Sequence, residues 1–386
     1  MIAPDADPGF ALYVHWPFCA SKCPYCDFNS HVAEAIDQGA WRTALCHEVR
    51  RSAAETPGAC LGSIFFGGGT PSTMPPETVG EVIATARAAW RTTNDLEITL
   101  EANPTSSDAA RFAAFRDAGA NRISIGVQAL RDPALRALGR RHSAAEARAA
   151  IAAAAHHFER VSADLIYARQ DQTKVEWEVE LREAIDLGTS HLSLYQLTIE
   201  EGTAFAARAA RGLLSGLPDE DLAAALYEVT QEICAHHGLG EYEISNHARD
   251  GDACRHNLVY WRGGEWVGIG PGAHGRLGPA TGRVATRAVR NPTAWLQAVQ
   301  AVGTGEEPRE PIPPAEVGRE YLLMALRLRE GASIARIRSA DPGLAPDRVI
   351  ADLVDRGLLL HERDRICATD AGRLVLNGLV RALDAG

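Results

Sequence analysis

The sequence predicts an α/β fold: a partial (βα)6 TIM-like barrel followed by a winged-helix-like α+β module. Three observations predict it. In the first half of the chain, short apolar runs alternate with longer, Ala-rich amphipathic runs. Near Pro218 that alternation gives way to one helix and a Gly- and Trp-rich segment. Beyond Pro314 the chain reads as mostly helical, with 349–361 and 365–372 suggesting helix, short β-wing and helix. A length of 386 residues suits one large barrel plus a small module.

The expected strands cover 11–15, 63–66, 96–100, 122–127, 161–166 and 191–195, with helices near 36–54, 77–91, 108–118, 143–157 and 175–187. Right-handed βα connections curl such a parallel sheet into a partial barrel, whose chemistry collects at the C-terminal ends of the strands. Segment 256–278 reads as turns and short strands, and the proline-rich 308–314 as a linker. The expected domains are therefore 1–217 for the barrel, 218–307 for a capping helix and the Gly/Trp-rich segment, and 308–386 for the C-terminal module.

A net charge of −11 argues against a nucleic-acid-coating protein. Lys22 and Lys174 are the only lysines, so the abundance of Arg and Ala reflects composition bias more than phosphate recognition. Within 316–386, eleven Arg face eleven Asp plus Glu, which makes the winged module a packing or partner surface and not a DNA reader. No stretch reaches the apolar length of a membrane span, and residues 1–7 lack the basic start and apolar core of a signal peptide. A reducing cytoplasmic setting follows, in which the eight cysteines are free thiols or ligands. Cys46, Cys60, Cys234 and Cys367 are scattered and read as ordinary residues.

Cys19, Cys23 and Cys26 are different. Their C-x-x-x-C-x-x-C spacing sets three thiolates on one short loop, enough for three corners of a cubane iron–sulfur cluster with one iron left open. Trp16, Phe18, Tyr25 and Phe28 would shield it from water. A closed zinc site would need a fourth ligand, and His15 and His31 keep that alternative open. The loop resembles the signature of the radical S-adenosylmethionine superfamily, including Tyr25 just before the third cysteine. That resemblance implies a [4Fe-4S] cluster whose open iron is chelated by S-adenosylmethionine.

Further motifs stand at the expected strand ends. Phe65-Phe-Gly-Gly-Gly-Thr-Pro-Ser72 follows the second strand; its glycines permit close backbone approach and Thr70 adds a hydroxyl, more than a plain βα turn requires. Glu101 ends the third strand, where a carboxylate can accept hydrogen bonds from ribose hydroxyls, a rim charge being the bland alternative. Gln128 closes the fourth strand, Arg140 follows it, and Asp164 lies in the fifth.

From Tyr13 through the C-terminal module the chain resembles the HemN family, that of the oxygen-independent coproporphyrinogen III oxidase, and within it the HemW branch of haem chaperones. The resemblance implies that Tyr13, Tyr25, Gly68, Gly69, Thr70, Glu101, Gln128, Arg140 and Asp164 contact S-adenosylmethionine. Two features favour the chaperone branch. Phe28 occupies the position where the oxidase pattern carries another cysteine, and His256-Asn-Leu-Val-Tyr-Trp261 reproduces an H-N-x-x-Y-W motif. His256 is then a candidate haem ligand beside Tyr260 and Trp261, with Cys254 and His274 as competing axial candidates and a structural histidine as the plain alternative. The implied function is binding haem and passing it to an acceptor protein of respiratory or haem-storage type. The rival is radical decarboxylation of coproporphyrinogen III. One departure stands out: the family commonly reads Gly-Leu-Pro-Gly where this chain has Ala168-Arg169-Gln170-Asp171, which changes the backbone options beside Asp164.

Overall fold

Six strands, each followed by a helical crossover, build the first half of the protein. In the computed structural model, which describes residues 7–33, 35–106 and 108–384, they are β1 (Phe10–Trp16), β2 (Cys60–Gly68), β3 (Arg91–Ala102), β4 (Arg122–Gln128), β5 (Arg160–Tyr167) and β6 (His191–Gln196). Residues 1–6, read above for signal-peptide character, lie outside the described residues. The main helices between the strands are α1 (Gln38–Glu55), α2 (Pro76–Ala89), α3 (Ala109–Asp117), α4 (Asp132–Ala137), α5 (Ala144–His157) and α6 (Lys174–Asp186). Reciprocal capping boxes start α5 (Ser143 with Glu146) and α6 (Thr173 with Glu176), satisfying amide groups that a helix start otherwise leaves bare.

All six strands pair in parallel, in chain order from β1 to β6. One face of each strand is apolar: Val14, Ile64, Phe66, Ile98, Ile125 and Leu165 are fully buried under the helices. Burying one such side chain is worth about 1.5–3 kcal/mol. The alternate positions point into the barrel and are largely polar, which creates the site.

The Gly/Trp-rich segment differs from its expected turns and short strands in two ways. Arg255–Trp261 forms a helix, so the H-N-x-x-Y-W motif sits on helical backbone. Next, Glu265–Ile269 pairs in parallel with β1, adding a seventh parallel strand to the six expected. The sheet continues antiparallel through His274–Leu277, Val284–Arg287 and Glu310–Pro311 on that side, and through Asn246–Ala248 and Gly240–Glu243 beyond β6. Part of the expected 308–314 linker is thus an edge strand. The helix is only seven residues long and is followed by Gly263-Gly264, so its sequence carries a turn signal and little helical periodicity.

One apolar core runs from Phe10 to Val299 and a second from Tyr321 to Leu383. The second belongs to the C-terminal module, where Ala332–Ser333, Arg365–Ala368 and Leu359–Glu362 form a small antiparallel sheet among helices, as the winged-helix pattern anticipates. Arginines fasten the module to the barrel. Arg262 holds Glu330 through two 2.8 Å bonds, and the Arg336 guanidinium caps the carbonyls of Arg262 and Gly263 at 2.6 and 2.7 Å. Among the described residues, no helix is long and apolar enough to cross a membrane.

Candidate cofactor-binding site

The C-terminal ends of β1 to β6 open into a cavity of about 1120 Å³. Cys19, Cys23 and Cys26 line it, on the loop leaving β1, and each is half-buried. The loop turns through a 3.1 Å bond from the Cys26 amide to the Cys23 carbonyl. Donors point at the sulfurs: the Thr70 hydroxyl at Cys19 Sγ (3.2 Å) and Arg140 Nη1 at Cys23 Sγ (3.5 Å). Burial raises the Cys19 and Cys26 thiols, so the bare site favours neutral sulfur, and an electropositive cluster is what would draw the protons off.

The zinc alternative finds no support in this geometry. His15 spends Nε2 on the Asn29 carbonyl (2.9 Å) and Nδ1 on the Tyr13 hydroxyl (3.1 Å), while His31 Nε2 meets Asn29 Oδ1 at 3.1 Å. Among the described residues, no group of three or more His, Cys, Asp and Glu side chains is gathered closely enough to hold a single metal ion.

The glycines after β2 are required by how closely they pass the cysteine loop. A Cβ on Gly69 would stand 2.7 Å from the Phe18 carbonyl oxygen, and Gly68 holds φ +110° with the His15 ring against it. The Gly69 and Thr70 amides donate to Trp16 and Phe18 at 2.7 and 2.9 Å, locking the Gly-Gly-Gly-Thr turn to the loop that carries the thiols.

Glu101, Gln128, Arg140 and Asp164 all reach the same cavity. Glu101 accepts a bond from the Gly68 amide (3.3 Å). Enclosure by protein and the nearby Asp164 carboxylate push its carboxyl up to about 8. Burial also raises Asp164, against hydrogen bonds from Ser124 at 2.9 and 3.1 Å. Arg140 Nη2 anchors on the Gly126 carbonyl (3.0 Å), so one guanidinium ties β4 to the cysteine loop. Gln128 itself adopts φ 65°, a left-handed conformation at the strand's rim. Tyr25 lines the cavity beside Phe205. Tyr13 lies deeper, on a separate cavity of about 170 Å³ inside the barrel, shared with Glu101 and Asp164.

The departure beside Asp164 puts non-glycine residues at both glycine positions of the family pattern. Ala168 and Asp171 both adopt φ 56°, the left-handed conformation that glycine favours, at the two positions where the family pattern carries glycine. Arg169 turns inward onto Glu180, whose other oxygen accepts from the Leu130 amide at 2.6 Å.

The haem candidates fall in three places. His256 is buried in the barrel, with Nδ1 on Ser63 (3.0 Å) and Nε2 on the Tyr260 hydroxyl (2.7 Å), and burial pulls its pKa down to about 3. Both ring nitrogens are therefore in use, which is the behaviour of a structural histidine. Cys254 is buried at the barrel floor beside Glu97 (3.6 Å). Trp261 faces the C-terminal module, with the Arg327 guanidinium 4.6 Å from its ring. His274 alone is exposed.

Residues 13–184 match the description "Radical SAM superfamily" and residues 312–375 "HemN C-terminal domain". The chain is 35% identical over 388 residues to "Heme chaperone HemW" of Mycobacterium tuberculosis, with 99% of this chain and 96% of that protein covered. It is 36% identical over 379 residues to the protein of the same name from Escherichia coli, with 97% of each covered. The chain belongs to the HemW family of radical S-adenosylmethionine proteins. It is also 37% identical over 384 residues to "Radical S-adenosyl methionine domain-containing protein 1, mitochondrial" of Bos taurus, covering 97% of this chain and 87% of that one. In fold it is similar to the coproporphyrinogen III oxidase HemN of Escherichia coli, with TM-score 0.80 at 21% identity over 98% of this chain and 90% of that one. HemW family membership implies S-adenosylmethionine and a [4Fe-4S] cluster, and the three thiols, the Gly-Gly-Gly-Thr turn and the acidic rim line one cavity.

Residues absent from the sequence reading also line the cavity: Ser124, Tyr195, Arg327 and Arg373. A signal for Ser124 exists. Arg122, Ser124, Gly126 and Gln128 alternate with Ile123, Ile125 and Val127, so β4 carries its polar row inward.

Proposed function

We propose that this protein is a haem chaperone: it binds haem and passes it to an acceptor protein, with a [4Fe-4S] cluster held by Cys19, Cys23 and Cys26 and S-adenosylmethionine in the adjoining cavity. The observation that carries this reading is similarity over nearly the whole chain to proteins named "Heme chaperone HemW". Phe28 adds support. It stands at the cavity mouth, 57% exposed, at the position where the oxidase pattern has a cysteine, and a phenyl ring offers no thiol.

For the haem iron we favour His274. His274 lies at the surface with its ring partly covered, and that desolvation, with the charges of Arg276, Arg287 and Arg290, lowers its pKa and favours the neutral, ligating form. The same guanidinium groups suit haem propionates. S-Adenosylmethionine contacts follow the cavity wall: Gly68, Gly69, Thr70, Glu101, Gln128, Arg140, Asp164 and Tyr25, with Tyr13 supporting Glu101 from below.

Anaerobic reconstitution with iron and sulfide, followed by parallel assays of haem binding, haem release to apo-acceptors and coproporphyrinogen III conversion, tests the reading. About one haem per chain without porphyrinogen turnover is expected. Multiple turnovers of coproporphyrinogen III would replace the chaperone reading with the oxidase one.

A further inference from the structure

The end of β4 is bent where it meets the cofactor cavity. Gly126 pairs with Asp164 and Gln128 with Leu165, so Val127 is the extra residue of a β-bulge. Bulges re-aim side chains, and this one carries Gln128, at φ 65°, onto the cavity wall. The Gln128 amide group folds back over Gly126, where a Cβ would stand 2.9 Å from Gln128 Nε2. A backbone of this kind persists only where its surroundings over-determine it. Three buried side chains do so: His142, Glu180 and Arg169. His142 Nε2 donates to the Val127 carbonyl at 3.0 Å. Two residues past Gln128, the Leu130 amide donates to Glu180 Oε1 at 2.6 Å. Glu180 Oε2 takes the Arg169 guanidinium, and Arg169 Nη1 in turn holds the Ile166 carbonyl, on the rim of β5, at 2.8 Å. The Leu130 carbonyl is fixed as well, by Arg131 at 2.9 Å and Arg148 at 3.3 Å, both paired with Glu183 one turn along α6.

We propose that Glu180 is a positioning residue for S-adenosylmethionine: with Arg169 as its counter-ion, it clamps the bulged end of β4 and so presents Gln128 to the cofactor. This role presupposes the cofactor reading above and adds to it a buried pair behind the cavity wall. A carboxylate can only accept hydrogen bonds, and a buried one needs a cation and donors around it, which Arg169 and the Leu130 amide supply. Without the acceptor the Leu130 amide is stranded, and the rim relaxes toward regular pairing. Because side chains alternate faces along a strand, removing the bulge moves Gln128 off the cavity face. Arg169 adds a second tie. It joins the rims of β4 and β5 through Glu180, from a position where the family pattern carries a leucine that could make neither bond.

Reconstituted full-length protein is titrated with S-adenosylmethionine by calorimetry, and hydrogen exchange at the Leu130 amide is followed without ligand. The double variant Arg169→Leu/Glu180→Leu removes the acceptor and its cation together, so no buried charge is stranded. It should weaken S-adenosylmethionine about fivefold or more and speed exchange at Leu130 about tenfold, with the cluster spectrum unchanged. Arg169→Leu/Glu180→Gln keeps a carbonyl oxygen for the Leu130 amide and should bind within about twofold of wild type. In a Gln128→Ala background the double-leucine change should cost nothing further, because side chains that act through one another are not additive. Full affinity in the double-leucine protein overturns the proposal. So does an equal loss with and without Gln128, or a glutamine variant no better than the leucine one. Should the double-leucine protein fail to fold, Glu180→Asp, which withdraws the acceptor by one methylene, replaces it with the same expectations. Wild-type protein that holds the cluster but takes no S-adenosylmethionine overturns the cofactor reading and the proposal with it. Unprotected Leu130 in a wild type that does bind the cofactor overturns the clamp alone.

Discussion

Arg140 Nη1 lies 3.5 Å from Cys23 Sγ while its Nη2 holds the Gly126 carbonyl at 3.0 Å. One side chain thus couples the rim of β4 to the middle thiol of the cysteine loop. A cation beside this sulfur would offset the negative charge of a bound cluster. Replacing Arg140 by Gln removes a charge-assisted contact worth about 1.5–3 kcal/mol. Iron content after reconstitution should fall or its absorption should bleach faster in air, and a variant indistinguishable from wild type in both would leave Arg140 a packing residue.

Cys23→Ser should abolish the cluster outright, because a hydroxyl is a poor ligand for this iron. Iron and sulfide analysis after anaerobic reconstitution reads it directly. Stoichiometric zinc in the wild-type protein with no cluster would sink the assignment.

The carboxyl of Glu101, pushed up to about 8 from its ordinary 4.5, keeps a proton at neutral pH in the absence of ligand. The folded chain therefore binds a proton that the unfolded chain releases, and this group's contribution to stability declines as pH rises from about 4.5 through about 8. S-Adenosylmethionine, a cation whose ribose donates hydrogen bonds, selects the carboxylate. Its affinity should climb with pH up to about 8 through this group, by at most about tenfold per unit. Calorimetry in buffers of different ionisation enthalpy should show proton release below that pH. Glu101→Gln should bind more weakly and lose that part of the pH dependence, and an unaltered profile would show that another group titrates.

Ala168 holds φ 56°, which costs an L-residue about 1–2 kcal/mol, whereas glycine adopts it freely at an entropic cost of roughly 0.5–1 kcal/mol. Ala168→Gly should stabilise the protein by about 0.5–1 kcal/mol, measured as a raised denaturant midpoint. A lowered midpoint would mean that the buried Ala168 methyl matters more than the backbone.

His256→Ala should cost about 1–3 kcal/mol of stability by stranding Ser63 and the Tyr260 hydroxyl. Haem retention should be unchanged under folding conditions, while His274→Ala should alter the Soret band. The reverse result would return the axial role to His256.

Much of this was legible before folding. The C-x-x-x-C-x-x-C loop, the Gly-Gly-Gly-Thr turn and Glu101 each sit at the end of an apolar run, and local signals of that kind survive in sequence because strand, turn and rim residue are neighbours along the chain. The polar inner row of β4 was equally readable as a period of two, although only Gln128 was drawn from it. The departure at 168–171 could be seen but not weighed, since two left-handed residues are visible only as dihedral angles.

The sequence by itself determined the barrel, the winged module and the three thiols, because hydrophobic periodicity and ligand spacing are properties of short segments. Tertiary structure alone decided which groups meet across long separations. It set Glu265–Ile269 beside β1, turned His256 inward onto Ser63, and carried Arg327 and Arg373 from the C-terminal module to the far wall of the cofactor cavity. Those juxtapositions come from packing an apolar face against whatever complements it in space, and spacing along the chain holds no record of that choice.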